Sequence, residues 1–252
     1  MDEAEYVDAD ARVTDGEDPP SRRVPLSRER IVSTAVEYIE EQGLASLTMR
    51  RLGQRLGVEA MSLYRYVPGR EDLLDAVVEQ ILRTLETDPE VLDAPGDGWQ
   101  DFLLRLAHGV RRVALQHPKA FPLVASRPLE APWLRPPLRS LDWVERFLAG
   151  LRREGFSDAD AAGAYRAFTS FLLGHLLLEV ASHGADVGPL DVLEDDERPS
   201  RLDGFPTLAS LRELLSEDHS AVEFEEALEE LLQRLTLMRN GSGPERRGSG
   251  PP

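Results

Sequence analysis

The sequence predicts an all-α protein, and three observations predict it. Apolar residues recur at three- and four-residue intervals from Ile31 to Leu235, the spacing of a helix face. No stretch alternates apolar and polar residues long enough to make a convincing strand. The periodic segments are separated by breaks rich in Gly, Pro and Asp.

Residues 1–26 are acidic and poor in apolar residues, and they are expected to form a disordered arm. Ser27 is placed to cap a first helix with Ile31, Val32, Ala35, Val36 and Ile39 on one stripe, stopped at Gly43. Thr48 caps a short second helix that turns Leu52 and Leu56 inward and ends at Gly57. A third short helix is expected from about Glu59 to Tyr66, cut off by Pro68. A fourth starts near Gly69, with Glu71 and Asp72 in its first turn, where acids suit the helix dipole. Its stripe runs through Leu73, Leu74, Val77, Val78, Ile81, Leu82 and Leu85.

The Pro-, Gly- and Asp-rich segment 88–98 is the expected domain boundary, dividing a first domain at 27–86 from a second at 98–239. Helices of the second domain are expected at about 99–116, 133–154, 158–183, 207–217 and 220–239. The acidic stretch 182–206, with its three prolines, reads as a loop, and residues 240–252 as a disordered Gly/Pro/Ser tail.

Composition narrows the class. The chain has no cysteine, which excludes disulfides, thiolate zinc sites and a cysteine nucleophile. No apolar run approaches the roughly 18 residues of a membrane span. The acidic start has no apolar segment of a secretory signal, so the expected location is the cytoplasm and no membrane partner is expected. Lys119 is the only lysine against 28 arginines, a bias that points to a GC-rich, bacterial genome. No nucleophile elbow, phosphate-binding loop, dinucleotide fingerprint or HExxH pair occurs, so no catalytic residue, metal or cofactor is expected.

Charge is unevenly placed in a chain of net charge −17. Residues 1–21 carry eight acids and one arginine, whereas 22–70 carry nine arginines against five glutamates. The remaining 182 residues return to 33 acids against 19 bases. A basic island in an acidic protein is a localised footprint for a polyanion.

The island coincides with two short helices joined by a Gly-containing turn over a third, which is a helix-turn-helix arrangement. On the third helix, with Leu63 inward, Met61, Ser62, Tyr64 and Arg65 lie about 100° to 200° away at 100° per residue. A guanidinium, a phenol, a hydroxyl and a methionine together suit a major groove, where Arg bonds guanine edges and apolar groups meet thymine methyls. Thr48 and Arg50 at the start of the second helix, and Arg70 at the start of the fourth, sit where phosphates would pass. The plainer alternative is an amphipathic hairpin whose arginines only keep it soluble.

The run RIVSTAVEYIEEQGLASLTMRRLGQRLGVEAMSLYRYVPGREDLLDAV resembles the DNA-binding domain of the tetracycline-repressor (TetR) family over roughly residues 27–85. Its carriers are Gly43-Leu44, Leu47-Thr48-Met49-Arg50, Leu56-Gly57-Val58, Leu63-Tyr64 and Leu73-Leu74. The resemblance implies that Arg50, Ser62, Tyr64 and Arg65 contact double-stranded operator DNA, flanked by Thr48, Met49, Met61 and Arg70. It also implies a homodimer on a palindromic operator, a repressor released by a small-molecule effector, and dimerisation through helices 158–183 and 220–239. The alternative from another class is a helical small-molecule-binding or enzymatic protein that only borrows the motif.

The segments GWQDFLLRLAHGVRRVALQHP, SRP at 126–128, GFSDADA and FLLGHLLLE are similar to the ligand-binding domain of tetracycline repressors. Where those repressors grip the drug and its magnesium, this chain has Leu106, Val110 and, near the magnesium-binding His, Leu123, so a tetracycline is not the expected effector. The aromatics Phe102, Trp133, Trp143, Phe147, Phe168 and Phe171 are either core or the lining of a cavity. The expected cavity walls are Phe102, Leu106, Val110, Trp143, Phe147, Phe168, Phe171 and His175, mostly apolar with one titratable group. His175, Glu179 and His183 share a helix face, but the outer two lie about 12 Å apart at 1.5 Å per residue, so all three cannot bind one ion. They read as polar residues of an interface helix. The stripe Leu228, Leu231, Leu232 and Leu235 lies opposite a solvated face of paired glutamates, and Leu228 and Leu232 are expected to lie in the dimer interface.

Overall fold

The computed structural model describes residues 25–86, 88, 91, 98–126, 141–187 and 204–241. The expectations for the arm at 1–24, most of the break at 88–98, residues 127–140 with Trp133, the loop at 188–203 and the tail from 242 lie outside the described residues. Among the described residues every regular element is a helix and none is a strand.

The head forms from capped helices. Helix α1, Arg28–Gln42, begins where the Ser27 hydroxyl accepts the Arg30 N–H at 3.2 Å. It ends at Gly43, whose φ of 78° takes the chain out of the helix while its N–H donates to the Ile39 carbonyl. A 3-10 turn, Leu44–Ser46, leads into α2, Met49–Leu56, capped by the Thr48 hydroxyl on the Arg51 N–H. Gly57 is left-handed at φ 70°, and the bonds Gly57 N–H to Gln54 and Val58 N–H to Gly53 complete a Schellman stop.

Helix α3 is only Ala60–Leu63, shorter than the span to Tyr66 that the sequence predicts. Beyond Leu63 the chain continues as a turn, with the Tyr66 and Val67 N–H groups both donating to the Leu63 carbonyl ahead of Pro68. Helix α4, Arg70–Glu86, then runs back along α1. Ile31, Ile39, Leu52, Leu63 and Leu73 meet at the centre of the head, all fully buried.

The second domain contains α5, Trp99–Gln116, α6, Phe121–Ser126, α7, Leu141–Arg153, α8, Asp158–Ser182, α9, Pro206–Ser216, and α10, Ser220–Gly241. The sequence reading lacks α6, since six residues are too few to establish a period. Helix α8 is the axis, packing on α5, α6, α7 and α10. Its core is aromatic: Phe147 of α7 stands edge-on to Tyr165 and tilted against Phe168, both with centroids at 5.6 Å.

Helix α4 joins the two domains by packing on α5 and α6 as well as on α1. Gly109 of α5 is the point of close approach. A Cβ there would lie 2.5 Å from a Val91 methyl and 3.3 Å from a Leu85 methyl, so a larger residue would have to push these side chains aside.

Two expectations are corrected here. Leu228, Leu232 and Leu235 are buried with Phe224 inside this chain, where α10 packs on α8, so that stripe is not free for a mate. The trio His175, Glu179 and His183 is divided among other partners. Glu179, nearly fully buried, accepts a two-pronged bond from Arg111 of α5, at 3.1 Å from Nε and 2.5 Å from Nη2. That bond to Glu179 is the first cause holding the Arg111 guanidinium above its usual pKa. Arg111 also lies over the Phe224 ring at 5.1 Å. His175 packs edge-on to Phe224 and His183 Nδ1 lies 2.9 Å from the Glu179 carbonyl.

This ion pair ties α5 to α8 beneath α10, and because the Glu179 side chain is 2% exposed and that of Arg111 19%, removing Arg111 strands the more deeply buried charge. Arg111→Ala is expected to cost about 3–5 kcal/mol of stability, seen as a large fall in Tm. The double variant Arg111→Met with Glu179→Leu is expected to recover most of that loss. A Tm within about 2 °C of the parent for Arg111→Ala would contradict it, being well below the shift such a loss gives.

Candidate nucleic-acid interface and the cavity behind it

The five arginines at 50, 51, 55, 65 and 70 separate into distinct roles. Arg55 donates both guanidinium arms to Glu41 of α1 at 2.5 Å and lies 6.0 Å from the Tyr38 ring, so it clamps α2 to α1. Arg51 donates to the Ser46 carbonyl at 2.8 Å and holds the turn before α2. Arg70 approaches the Leu47 carbonyl at 3.5 Å and Glu71 at 3.7 Å, loosely enough to turn elsewhere. Arg50 and Arg65 are exposed and make no hydrogen bond or ion pair among the described residues.

Around these two lie Met61, exposed to 75%, Tyr64 at 41%, and a half-buried Ser62. Large apolar groups on a surface are normally scarce beside charge, and Met61 is the most exposed of all the described large hydrophobics. Thr48 is exposed, but its hydroxyl is already the α2 cap. Met49 does not belong to this surface. It is 8% exposed and points into the head core, because the first turn of α2 must bury one residue beside Leu52 and Gly53.

Gly53 fixes the angle between the two reading helices. A Cβ on it would stand 2.9 Å from the Val58 carbonyl oxygen and 3.2 Å from the Ala60 Cα, which are backbone atoms that cannot yield.

Behind the head lies an apolar cavity of about 80 Å³. Its floor is α8, through Phe168, Thr169, Leu172 and Leu173. Leu106, Val110 and Val113 of α5 and Trp143 and Phe147 of α7 form opposite walls. Phe121 and Val124 of α6 close one end, and Leu82 and Leu85 of α4 form the side toward the head. Of the expected walls, Leu106, Val110, Trp143, Phe147 and Phe168 line it. Phe102, Phe171 and His175 do not. Phe102 is buried in the core with its centroid 6.3 Å from Phe147, and Phe171 and His175 sit on the α10 side of α8, around Phe224.

Sequence reasoning missed Glu40. On α1 its carboxylate accepts the backbone N–H groups of Lys119 at 3.2 Å and Ala120 at 3.0 Å, the corner between α5 and α6. Lys119 Nζ returns a bond to the Glu41 carbonyl at 3.3 Å. The head is therefore joined to the cavity twice, through α4 and through this corner. No sequence signal marks Glu40, since it is one of several acids on an amphipathic helix.

The chain matches the family described as bacterial regulatory proteins, tetR family, over residues 31–77. It also matches the tetracyclin repressor-like, C-terminal domain over residues 92–238, more than half of its length. It is 31% identical to the tetracycline repressor protein class D of Escherichia coli over 209 residues, covering 82% of this chain and 88% of that one. Among solved structures, one titled a possible TetR family transcriptional regulator from Streptomyces coelicolor A3(2) is 31% identical. It superposes with a TM-score of 0.65 over 83% of this chain and 98% of its own. The S. coelicolor TetR family protein ActR in complex with actinorhodin is 28% identical, with a TM-score of 0.62 over 88% and 99% of the two chains.

The Glu40 corner generates a direct test. Glu40→Ala is expected to speed hydrogen exchange at the Lys119 and Ala120 amides and to lower stability by about 1.5–3 kcal/mol for bonds to a charged acceptor. Unchanged exchange at those two amides would show that the contact does not persist in solution.

Proposed function

The chain belongs to the TetR family of bacterial regulatory proteins and is a DNA-binding transcriptional regulator, and from that premise we propose that it is a repressor. As a homodimer it holds a palindromic operator, and a small, largely apolar effector releases it. The observation that carries the DNA part is that Arg50 and Arg65 are exposed and without partners among the described residues, on the helix-turn-helix that also exposes Met61 and Tyr64, while Arg51 and Arg55 are spent on the fold. Arg50, Ser62, Tyr64 and Arg65 read base edges, and Thr48 and Arg70 meet backbone phosphates. Met61 touches a thymine methyl, and Met49 supports α2 from within.

One reading head spans only a few base pairs, so a two-fold mate is needed to specify an operator. Leu178 of α8 and Val222 and Leu237 of α10 are apolar yet exposed, at 61%, 57% and 72%. These, not the inward Leu228 stripe, are the surface a second copy covers. Helix α9 adds Leu208, Leu211, Leu214 and Leu215, all exposed.

The cavity supports effector release on physical grounds. An apolar cavity of roughly 150 Å³ accommodates benzene, so a larger effector must spread walls that enclose only about 80 Å³. Two of those walls, Leu82 and Leu85, are on α4, which also belongs to the head. The effector thus favours a state with α4 displaced, and a ligand must discriminate between states to shift them at all. ActR, a structural neighbour solved in complex with actinorhodin, supports the reading that a chain of this fold takes a small molecule. Leu106, Val110 and Phe147 offer no ligand for magnesium, so release proceeds without a divalent ion. The domain limits 27–86 and 98–239 and action in the cytoplasm complete the proposal.

Titrating the protein with DNA from upstream of its own gene tests the reading. Affinity is expected to fall about a thousandfold over a fourfold rise in salt if about six phosphates are contacted. Arg50→Ala and Arg65→Ala are expected to cost about 1–3 kcal/mol on specific DNA only, whereas Arg70→Ala weakens all DNA alike. The reverse pattern would exchange the assigned roles, and no salt dependence would remove the DNA reading.

Assembly has its own test. Leu178→Glu with Leu237→Glu is expected to yield a folded monomer by light scattering, because the dimer would bury unpaired carboxylates. A dimer that survives the double change lies on another face.

A further inference from the structure

We propose that the effector is a neutral molecule with one hydrogen-bonding polar group, and that the Thr169 hydroxyl holds that group and selects for it. This deepens the effector reading and rests on the cavity being the effector site.

Twelve of the thirteen residues around the cavity are aliphatic or aromatic, and Thr169 is the exception. Thr169 is 2% exposed, and its Oγ1 is buried without a hydrogen-bond partner. A threonine inside a helix ordinarily returns its hydroxyl to a carbonyl one turn earlier. Two others here do so: Thr236 donates to the Leu232 carbonyl at 2.9 Å, and Thr84 to Ile81 at 2.5 Å. Thr169 does not. Tyr165, one turn before it, is buried enough to push its phenol up to about 12, and the Thr169 hydroxyl, a hydrogen-bonding neighbour, opposes that rise. No hydrogen bond of sound geometry joins the two hydroxyls.

A valine would fill the same space as Thr169 and leave nothing unsatisfied. The hydroxyl costs free energy where it stands, and a ligand that supplies its partner recovers that cost. A hydroxyl can both donate and accept, so a carbonyl, a phenol or an amide on the ligand would serve. A carboxylate or an ammonium would not, since no lining residue carries a charge to replace its hydration. The chemistry recognised is thus an apolar body with a single neutral polar handle.

The full-length protein is titrated with phenol, toluene and benzoate, single rings that differ in one substituent, and binding is followed by ligand-observed NMR. Phenol is expected to bind within a few-fold of toluene despite its stronger hydration, and benzoate not to bind. Thr169→Val is expected to weaken phenol about tenfold or more and leave toluene within about twofold, while Thr169→Ser retains phenol. Equal changes for phenol and toluene in Thr169→Val, no change for either, or benzoate binding as tightly as phenol would overturn the proposal.

Val110→Trp, which fills the cavity, separates this result from the broader reading, with Leu106→Phe as its substitute if folding fails. Loss of all binding there, with phenol unaffected by Thr169→Val, overturns the Thr169 assignment alone. Toluene that binds despite the filled cavity, or no probe binding to the parent, overturns the cavity as effector site and this proposal with it.

Discussion

Helix α4 is a member of two cores at once, and the rest of the molecule is arranged around that constraint. Its first half gives Leu73, Leu74 and Val77 to the head, and its second half gives Leu82 and Leu85 to the cavity wall. Close-packed interiors do not deform smoothly. A helix held at both ends by such packing moves as a unit, so a change in volume at one end is felt at the other. Gly109 brings the far end of α4 close to α5, and Glu40 pins the neighbouring corner to α1. The head therefore cannot be repositioned without disturbing what surrounds the cavity.

The charge distribution follows a similar division of labour. A net charge of −17 would repel a polyanion if it were spread evenly. Within the head Glu41 is instead turned onto Arg55, which holds α2 to α1, and Glu40 onto the amides of the α5–α6 corner. Arg50 and Arg65 remain exposed on the helix-turn-helix, which also exposes a methionine and a phenol. A solvated helix face would show the opposite pattern, with its arginines paired along the face and its large apolar groups inside.

Among the described residues of the second domain, Glu179 is a buried polar group with a hydrogen-bond partner, whereas Trp99 Nε1, His117 Nδ1 and Thr169 Oγ1 are buried without one. Arg111 and Glu179 neutralise each other beneath Phe224, so that region is a structural tie. The cavity lies on the other side of α8, where the lining is apolar apart from Thr169. One helix thus separates a charged tie from an apolar space, and the residues that the sequence grouped together fall on opposite sides of it.

The sequence by itself determined most of the helices and the ends of the first two. Period fixed which residues share a face, and local chemistry fixed the stops of α1 and α2, with Ser27 and Thr48 as caps and Gly43 and Gly57 as the ends. Helix α3, in contrast, stops at Leu63, well before the Pro68 that the sequence offered as its limit. The caps and glycine stops are short-range effects, set by bonds between residues a few positions apart, and they are legible for that reason. The outward set Arg50, Met61, Tyr64 and Arg65 was legible too, since on a helix of known phase the face opposite Leu63 is defined. What each face meets was decided only by the tertiary structure. Whether α10 buries Leu228 against its own chain or a mate, and whether Phe171 and His175 line a cavity or pack on Phe224, depends on which helices lie opposite. Met49 is a different case, since it shares the i, i+3, i+4, i+7 stripe of Leu52, Gly53 and Leu56 and its inward turn was already legible in the period. Glu40 found its amides, and Thr169 lost a partner, through contacts between helices far apart in the chain, which no local period encodes.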